Sequence, residues 1–260
     1  MDFDLNADWQ IRSAGGNTGS AFMGIHATEK VFLKRNSSPF LAALSVEGIT
    51  PRLIWTKRIA NGDVLTAQEW LNGRTLTRDE MNSAQVAHLL RQVHTSRLLK
   101  KMLVKVGGQA YTPSRLLRHY EQGLPLALRQ NDFLEKVAFF LNKNQPQFSK
   151  NAFEVCHGDL NHKNWLLSDQ KRLYLVDWDS AMLADPAVDL SMVLFQYVPR
   201  ADWTEWVASY GLELTTPLLT RIHWYGCLHL LNAIRAHYEE CRFTEMNQAI
   251  LLLEHFFKKD

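Results

Sequence analysis

A chain of 260 residues has room for a sizeable core, in one domain or in two lobes. With 46% hydrophobic and 22% charged residues it has the composition of a globular protein. A formal charge of +2, without a long run of like charge, argues against the strong basic face of a nucleic-acid binder.

The N-terminal stretch Met1-Asp2-Phe3-Asp4-Leu5-Asn6 is acidic and lacks an apolar run, so no signal peptide is expected. No segment reaches the roughly 18 apolar residues of a membrane span, so no membrane insertion is expected. Cys156, Cys227 and Cys241 show no metal-ligand spacing and fit a reducing, cytoplasmic setting.

In chain order, Ser13-Ala14-Gly15-Gly16-Asn17-Thr18-Gly19-Ser20 comes first. Gly15, Gly16 and Gly19 would let the backbone come close to a phosphate group. It is not a Walker A loop, because no Gly-Lys-Ser/Thr follows. Ala21-Phe22-Met23-Gly24-Ile25-His26 and Lys30-Val31-Phe32-Leu33-Lys34 read as short strands, and Lys34 places a cation at the end of the second. Ser37-Ser38-Pro39 signals a helix start, and Glu47 on that helix is the first acidic residue after Lys34. Residues 52–59 and 64–71 flank Asn61-Gly62, a hairpin signal.

After Asn72-Gly73 the periodicity becomes helical. Thr77-Arg78-Asp79-Glu80 and Asn82-Ser83-Ala84-Gln85 have the form of capping boxes. Val86, Leu89, Leu90 and Val93 then share a helical face, as do Phe133, Val137, Phe140 and Leu141. Residues 153–179 interrupt the helices with short strands. Beyond Pro186 the chain is helical again and closes on a stripe of Met246, Ile250, Leu253 and Phe257. The expected fold is α+β and bilobal: a small β-rich lobe over residues 1–71 and a larger, mainly helical lobe over 72–260. A nucleotide cleft between them would be walled near Gln68, Glu69 and Trp70.

Two segments carry the chemistry: His157-Gly158-Asp159-Leu160-Asn161-His162-Lys163-Asn164 and Leu175-Val176-Asp177-Trp178-Asp179. Phosphoryl transfer needs a group that orients the acceptor hydroxyl and takes its proton, and oxygen ligands for Mg²⁺ at the ATP phosphates. Asp159 suits the first role; Asn164 and Asp177 suit the second. Lys34 can reach the α- and β-phosphates, with Glu47 as its partner. Candidate acceptor contacts are His157, Trp178, Asp179 and Trp224. His157 reads first as a brace of its own loop, and Trp224, with Trp203, Trp206 and Tyr225, first as core. Asp189 reads as the helix-start carboxylate that anchors the catalytic loop. From Arg200 to Asp260 there are eight acidic and six basic residues, a near balance that does not suit a polycationic acceptor.

These motifs resemble those of the aminoglycoside phosphotransferase and choline/ethanolamine kinase family, which has a protein-kinase-like fold. The resemblance implies Asp159 as catalytic base, Asn164 and Asp177 as Mg²⁺ ligands, Lys34 with Glu47 as the phosphate-orienting pair, and ATP with Mg²⁺ as cofactors. Gly158 stands where regulated protein kinases often carry Arg, and no Ala-Pro-Glu segment follows Asp177, so the implied acceptor is a small-molecule hydroxyl. Ala21-Phe22-Met23-Gly24, Ala67-Gln68-Glu69-Trp70-Leu71, Leu175-Val176-Asp177-Trp178-Asp179-Ser180 and Trp224-Tyr225-Gly226 are similar to segments of the Firmicute cell-cycle-regulator kinases. That likeness implies a nucleoside, deoxynucleoside or ribose-type acceptor and a cell-division partner. Choline, ethanolamine or aminoglycoside phosphorylation, and a division scaffold that keeps the kinase fold, are the alternatives.

Overall fold

Alternating burial along two early strands builds the first sheet. The computed structural model describes residues 9–13, 21–27, 29–147, 149 and 152–258; the glycines at 15, 16 and 19 lie outside them. The chain divides into two compact units that are not contiguous in sequence. The first comprises Met1–Thr77, Ser96–Gly107 and Asn161–Ser180, and the second Arg78–Thr95, Gly108–Leu160 and Ala181–Asp260. A single cut after residue 71 therefore does not separate them, because residues 96–107 and 161–180 belong to the first unit.

In the first unit, β1 (Gln10–Ser13), β2 (Ala21–His26), β3 (Glu29–Arg35), β4 (Leu53–Arg58) and β5 (Val64–Glu69) form an antiparallel sheet in the order β1-β2-β3-β5-β4. Val31 and Leu33 on β3 are buried with Phe22, Ile59, Leu65 and Ala67, the alternation a half-buried strand requires. The Asn61-Gly62 turn forms as expected. Gly62 has φ of +91°, and Asn61 Oδ1 accepts the Asp63 N–H at 3.0 Å.

Helix α1 (Phe40–Val46) starts where the serine-proline signal places it, with the Phe40 N–H donating to Ser38 Oγ at 3.2 Å. It packs on α3 (Arg97–Lys105), which Ser96 caps at the Leu99 N–H. A second sheet in this unit has the order β6-β8-β9: β6 (Gly73–Thr75), β8 (Trp165–Ser168) and β9 (Leu173–Leu175).

The second unit is mainly helical. Its elements are α2 (Ala84–Thr95), α4 (Pro113–Glu121), α5 (Leu126–Arg129), α6 (Asp132–Lys143), α7 (Ala187–Tyr197), α8 (Trp203–Tyr210), α9 (Thr216–Glu239) and α10 (Phe243–Phe257). Strands β7 (Glu154–Cys156) and β10 (Met182–Ala184) pair antiparallel. The first expected capping box opens only a 3₁₀ turn, Asp79–Asn82, before α2. On α6 the buried positions are Leu134, Val137 and Leu141, while Phe140 is exposed and meets Phe257 edge-on. Helix α7 is buried almost all round, and α9 packs against it and α10. Among the described residues no helix is long and apolar enough to cross a membrane. The architecture is the expected α+β, protein-kinase-like fold, with a small β-rich region and a helical one.

Candidate active site

Strand β3 positions Lys34. Its neighbours Val31 and Leu33 point into the core, and Thr66 Oγ1 on β5 donates to the Lys34 carbonyl at 3.0 Å. The side chain then reaches two carboxylates: Nζ donates to Asp177 Oδ1 at 3.1 Å and to Asp179 Oδ2 at 3.0 Å. Burial lowers the Lys34 pKa, but the hydrogen bonds it donates to Asp179 and Asp177 outweigh that and the ammonium is held above its usual value. The two carboxylates remain largely open to solvent, at 52% and 67% exposure. Glu47, the expected partner, instead accepts the Ser96 hydroxyl at 2.7 Å. Asp177 and Asp179 carry charges that Lys34 meets directly.

Strand β9 positions Asp177. The Leu175 N–H donates to the Ile49 carbonyl, and the next amide, Val176 N–H, donates to the Asn164 carbonyl, both at 2.9 Å. Asn164 itself closes the 3₁₀ turn His162–Asn164, whose entry Asn161 caps by accepting the Lys163 N–H at 3.0 Å. One backbone hydrogen bond thus ties the segment that carries Asp177 to the residue that carries the carboxamide. Asp177 has φ of +63°, a left-handed backbone that Asp tolerates better than most residues. A carboxylate and a carboxamide oxygen on anchored backbone, with the carboxylate solvent-open, fit a hard divalent cation such as Mg²⁺.

The second unit positions Asp159. Strand β7 leads into His157 and Gly158, and Gly158 has φ of +80°, which suits glycine. Asp189, on the first turn of α7, accepts the His157 N–H at 2.7 Å and the Gly158 N–H at 3.0 Å. The Asp159 N–H donates to His157 Nδ1 at 3.2 Å. His157 and Asp189 are fully buried and Asp159 is exposed. Asp189 anchors the loop as the sequence implied, and His157 is a brace rather than an acceptor contact.

His94 on α2 completes the support: Nε2 lies 3.0 Å from Asp189 Oδ2, and Nδ1 lies 2.7 Å from the Tyr210 hydroxyl. His94, Cys156 and Asp189 form a wholly buried cluster. Burial first, then the charges of Asp189 and Asp185, push the Cys156 thiol well up, so it is an inert buried group.

Other expected contacts serve the core. Trp178 is buried, donates its indole N–H to the Leu175 carbonyl at 2.9 Å, and meets Phe40 edge-on. Trp224 is buried, with its indole N–H on the Leu141 carbonyl at 2.9 Å. Neither ring is presented to a ligand. Gln68 is buried and spends its amide on the Pro51 carbonyl at 2.8 Å, and the Glu69 N–H donates to the Arg52 carbonyl. Trp70 is half-buried.

The profile of the phosphotransferase enzyme family matches residues 29–225. The chain belongs to that family. This kinase-type phosphotransferase, with a hydroxyl as acceptor, also shares its fold with solved family structures. Choline kinase LicA from Streptococcus pneumoniae is 18% identical, with 96% of this chain and 95% of that one covered and a TM-score of 0.67. A putative aminoglycoside phosphotransferase from Ralstonia eutropha is 12% identical, with 98% and 93% covered and a TM-score of 0.72. The GDP and kanamycin complex of APH(2″)-IIIa is 14% identical, with 99% and 96% covered and a TM-score of 0.66. The first and last of these act on, or bind, quite different acceptors, so the fold leaves the acceptor open.

Proposed function

We propose that this phosphotransferase is an ATP- and Mg²⁺-dependent kinase of a small neutral hydroxyl compound of the nucleoside, deoxynucleoside or ribose type. The observation that carries the reading is the Lys34 ammonium held on Asp177, whose segment is hydrogen-bonded to Asn164. In this reading Lys34 takes the α- and β-phosphates, and Asn164 and Asp177 hold Mg²⁺, which neutralises phosphate charge when bound. Asp159 orients the acceptor hydroxyl and takes its proton. Most of the rate then comes from positioning and charge neutralisation.

The near balance of acidic and basic residues over 200–260 supports a neutral acceptor over a polycationic one. The likeness of several segments to cell-cycle-regulator kinases supports a cytoplasmic role in bacterial cell-cycle control, with a division protein as partner.

The test is ATP consumption with Mg²⁺ against ribose, nucleosides, deoxynucleosides, choline, ethanolamine and kanamycin, with Asp159→Ala as control. Asp159-dependent turnover of a neutral acceptor is the expected result. Turnover of choline or kanamycin alone would replace the acceptor class. ATP binding without any turnover would favour a scaffold.

A further inference from the structure

The second unit holds a cavity of about 240 Å³, and Asp159 is not among the residues that line it. Its walls come from α2, α7, α9, the C-terminal end of α8 and the segment that opens β7, all within that unit. Leu190 and Leu218 give it buried apolar walls, and Leu212 is exposed, so the cavity opens to solvent there. The charged lining residues are Arg91, Arg221 and Glu154, a formal balance of +1.

Both arginines are held in place by the protein itself. Arg221 Nε lies 2.9 Å from Oδ2 of Asp185, which is fully buried and accepts the Ala187 N–H through Oδ1 at 3.0 Å. The Arg91 guanidinium carbon lies 5.5 Å from the centre of the Tyr210 ring, a cation–π contact. Groups fixed in advance lose little freedom on binding. A guanidinium fork matches a carboxylate. The balance of +1 suits a monoanion rather than a phosphate dianion, and the leucines suit an apolar body.

Two further lining residues, His94 and Tyr210, belong to the support of the catalytic loop. The Tyr210 hydroxyl lies 2.7 Å from His94 Nδ1, and burial pushes its pKa up against the opposing charge of Arg91. A carboxylate only accepts, so His94 Nε2 donates to Asp189 Oδ2, at 3.0 Å. Asp189 in turn holds the N–H groups of His157 and Gly158, the two residues before Asp159. Arg91 therefore touches both the cavity and the first ring of a hydrogen-bonded chain that ends at the catalytic loop.

We propose that this cavity is an effector site for a small apolar carboxylate, which lies on the leucines, is anchored by Arg221 and draws Arg91 away from the Tyr210 ring. The bound anion thereby loosens the support of His157 and Gly158. Binding in the cavity does not depend on the reading of Asp159 as the group that takes the acceptor proton; the effect on turnover rests on it.

The probes are isovalerate and benzoate, with isoamyl alcohol and inorganic phosphate for comparison. Isothermal titration measures binding, and amide hydrogen exchange at His157 and Gly158 reads the support, for the wild type, Arg91→Gln and Leu212→Asp. Both carboxylates bind the wild type. Arg91→Gln weakens them by about tenfold or more, the loss of a charge-assisted hydrogen bond, and Leu212→Asp weakens them by like charge at the mouth. At saturation the two amides exchange about fivefold faster, and kcat with the best neutral acceptor falls by a similar factor while ATP KM is unchanged.

No binding of either carboxylate at millimolar concentration, or binding that both variants keep, overturns the site. Binding of phosphate alone, or of the alcohol as tightly as the acid, overturns the ligand class. Binding that leaves the exchange of both amides unchanged overturns the effector role. Faster exchange together with full turnover by Asp159→Asn overturns the reading of Asp159 instead and leaves the site standing. Should Arg91→Gln fail to fold, Leu212→Asp decides.

Discussion

Asp189 accepts the backbone N–H of His157 at 2.7 Å, and the same carboxylate takes the next amide, Gly158, at 3.0 Å. A fully buried group on α7 therefore fixes the two residues that precede Asp159. The carboxylate also lies 3.0 Å from His94 Nε2, and His94 Nδ1 lies 2.7 Å from the Tyr210 hydroxyl.

Asp189→Asn should cost about 3 kcal/mol in urea unfolding, because a neutral amide cannot accept both N–H groups and turns an N–H₂ on one of them. Burial raises the Asp189 pKa, but the His94 bond and charge, with His157, outweigh it and hold the carboxyl below its usual value. A depressed carboxyl stabilises the fold above its unfolded pKa and loses that contribution as pH falls through the folded pKa. The gap between wild type and variant should therefore narrow only below about pH 4. A gap that is absent at pH 7 would show that the clamp contributes little.

Lys34→Met separates nucleotide binding from folding. Its two ion pairs are solvent-open, so stability should change by only about 0–1 kcal/mol. ATP KM should rise by about tenfold or more, since the phosphates lose their strand-borne cation. Isothermal titration with ATP and Mg²⁺ reads the loss directly; unchanged affinity would remove Lys34 from the nucleotide site.

The His229 pKa is depressed to about 4 by burial, so its sign runs the other way from an ordinary paired histidine. Below pH 6.5 the unfolded chain takes up a proton that the folded chain refuses until about pH 4. Wild-type stability should fall through this window, and the fall should be shallower in His229→Gln. Some slope remains, because the His237 pKa is lowered as well. Melting curves between pH 7 and 4 check it; parallel curves would show that His229 takes up its proton equally in both states.

Much of this was legible in the sequence, and the rest for physical reasons was not. The five-residue spacing from Asp159 to Asn164, and the strand ending before Asp177, identify the chemistry because loop and strand end are local. The Asn61-Gly62 turn is local too. The Lys34 contacts with Asp177 and Asp179 are not legible locally, because these carboxylates lie 143 and 145 residues away along the chain. Trp178 reads as an acceptor contact and Trp224 first as core with a ligand ring as the alternative; the structure buries both. Two lobes are legible in the sequence, but the discontinuous make-up of the first unit is not, because 96–107 and 161–180 join it through tertiary packing.

The central claim is that Asp159 serves the transferred phosphoryl group's acceptor and not the nucleotide. The direct measurement is single-turnover phosphoryl transfer from ATP to the best neutral acceptor, with ATP affinity measured in parallel, for wild type and Asp159→Asn. The account expects ATP affinity within about twofold and a transfer rate lower by about 10²–10⁴-fold. Transfer at the wild-type rate by Asp159→Asn would contradict it.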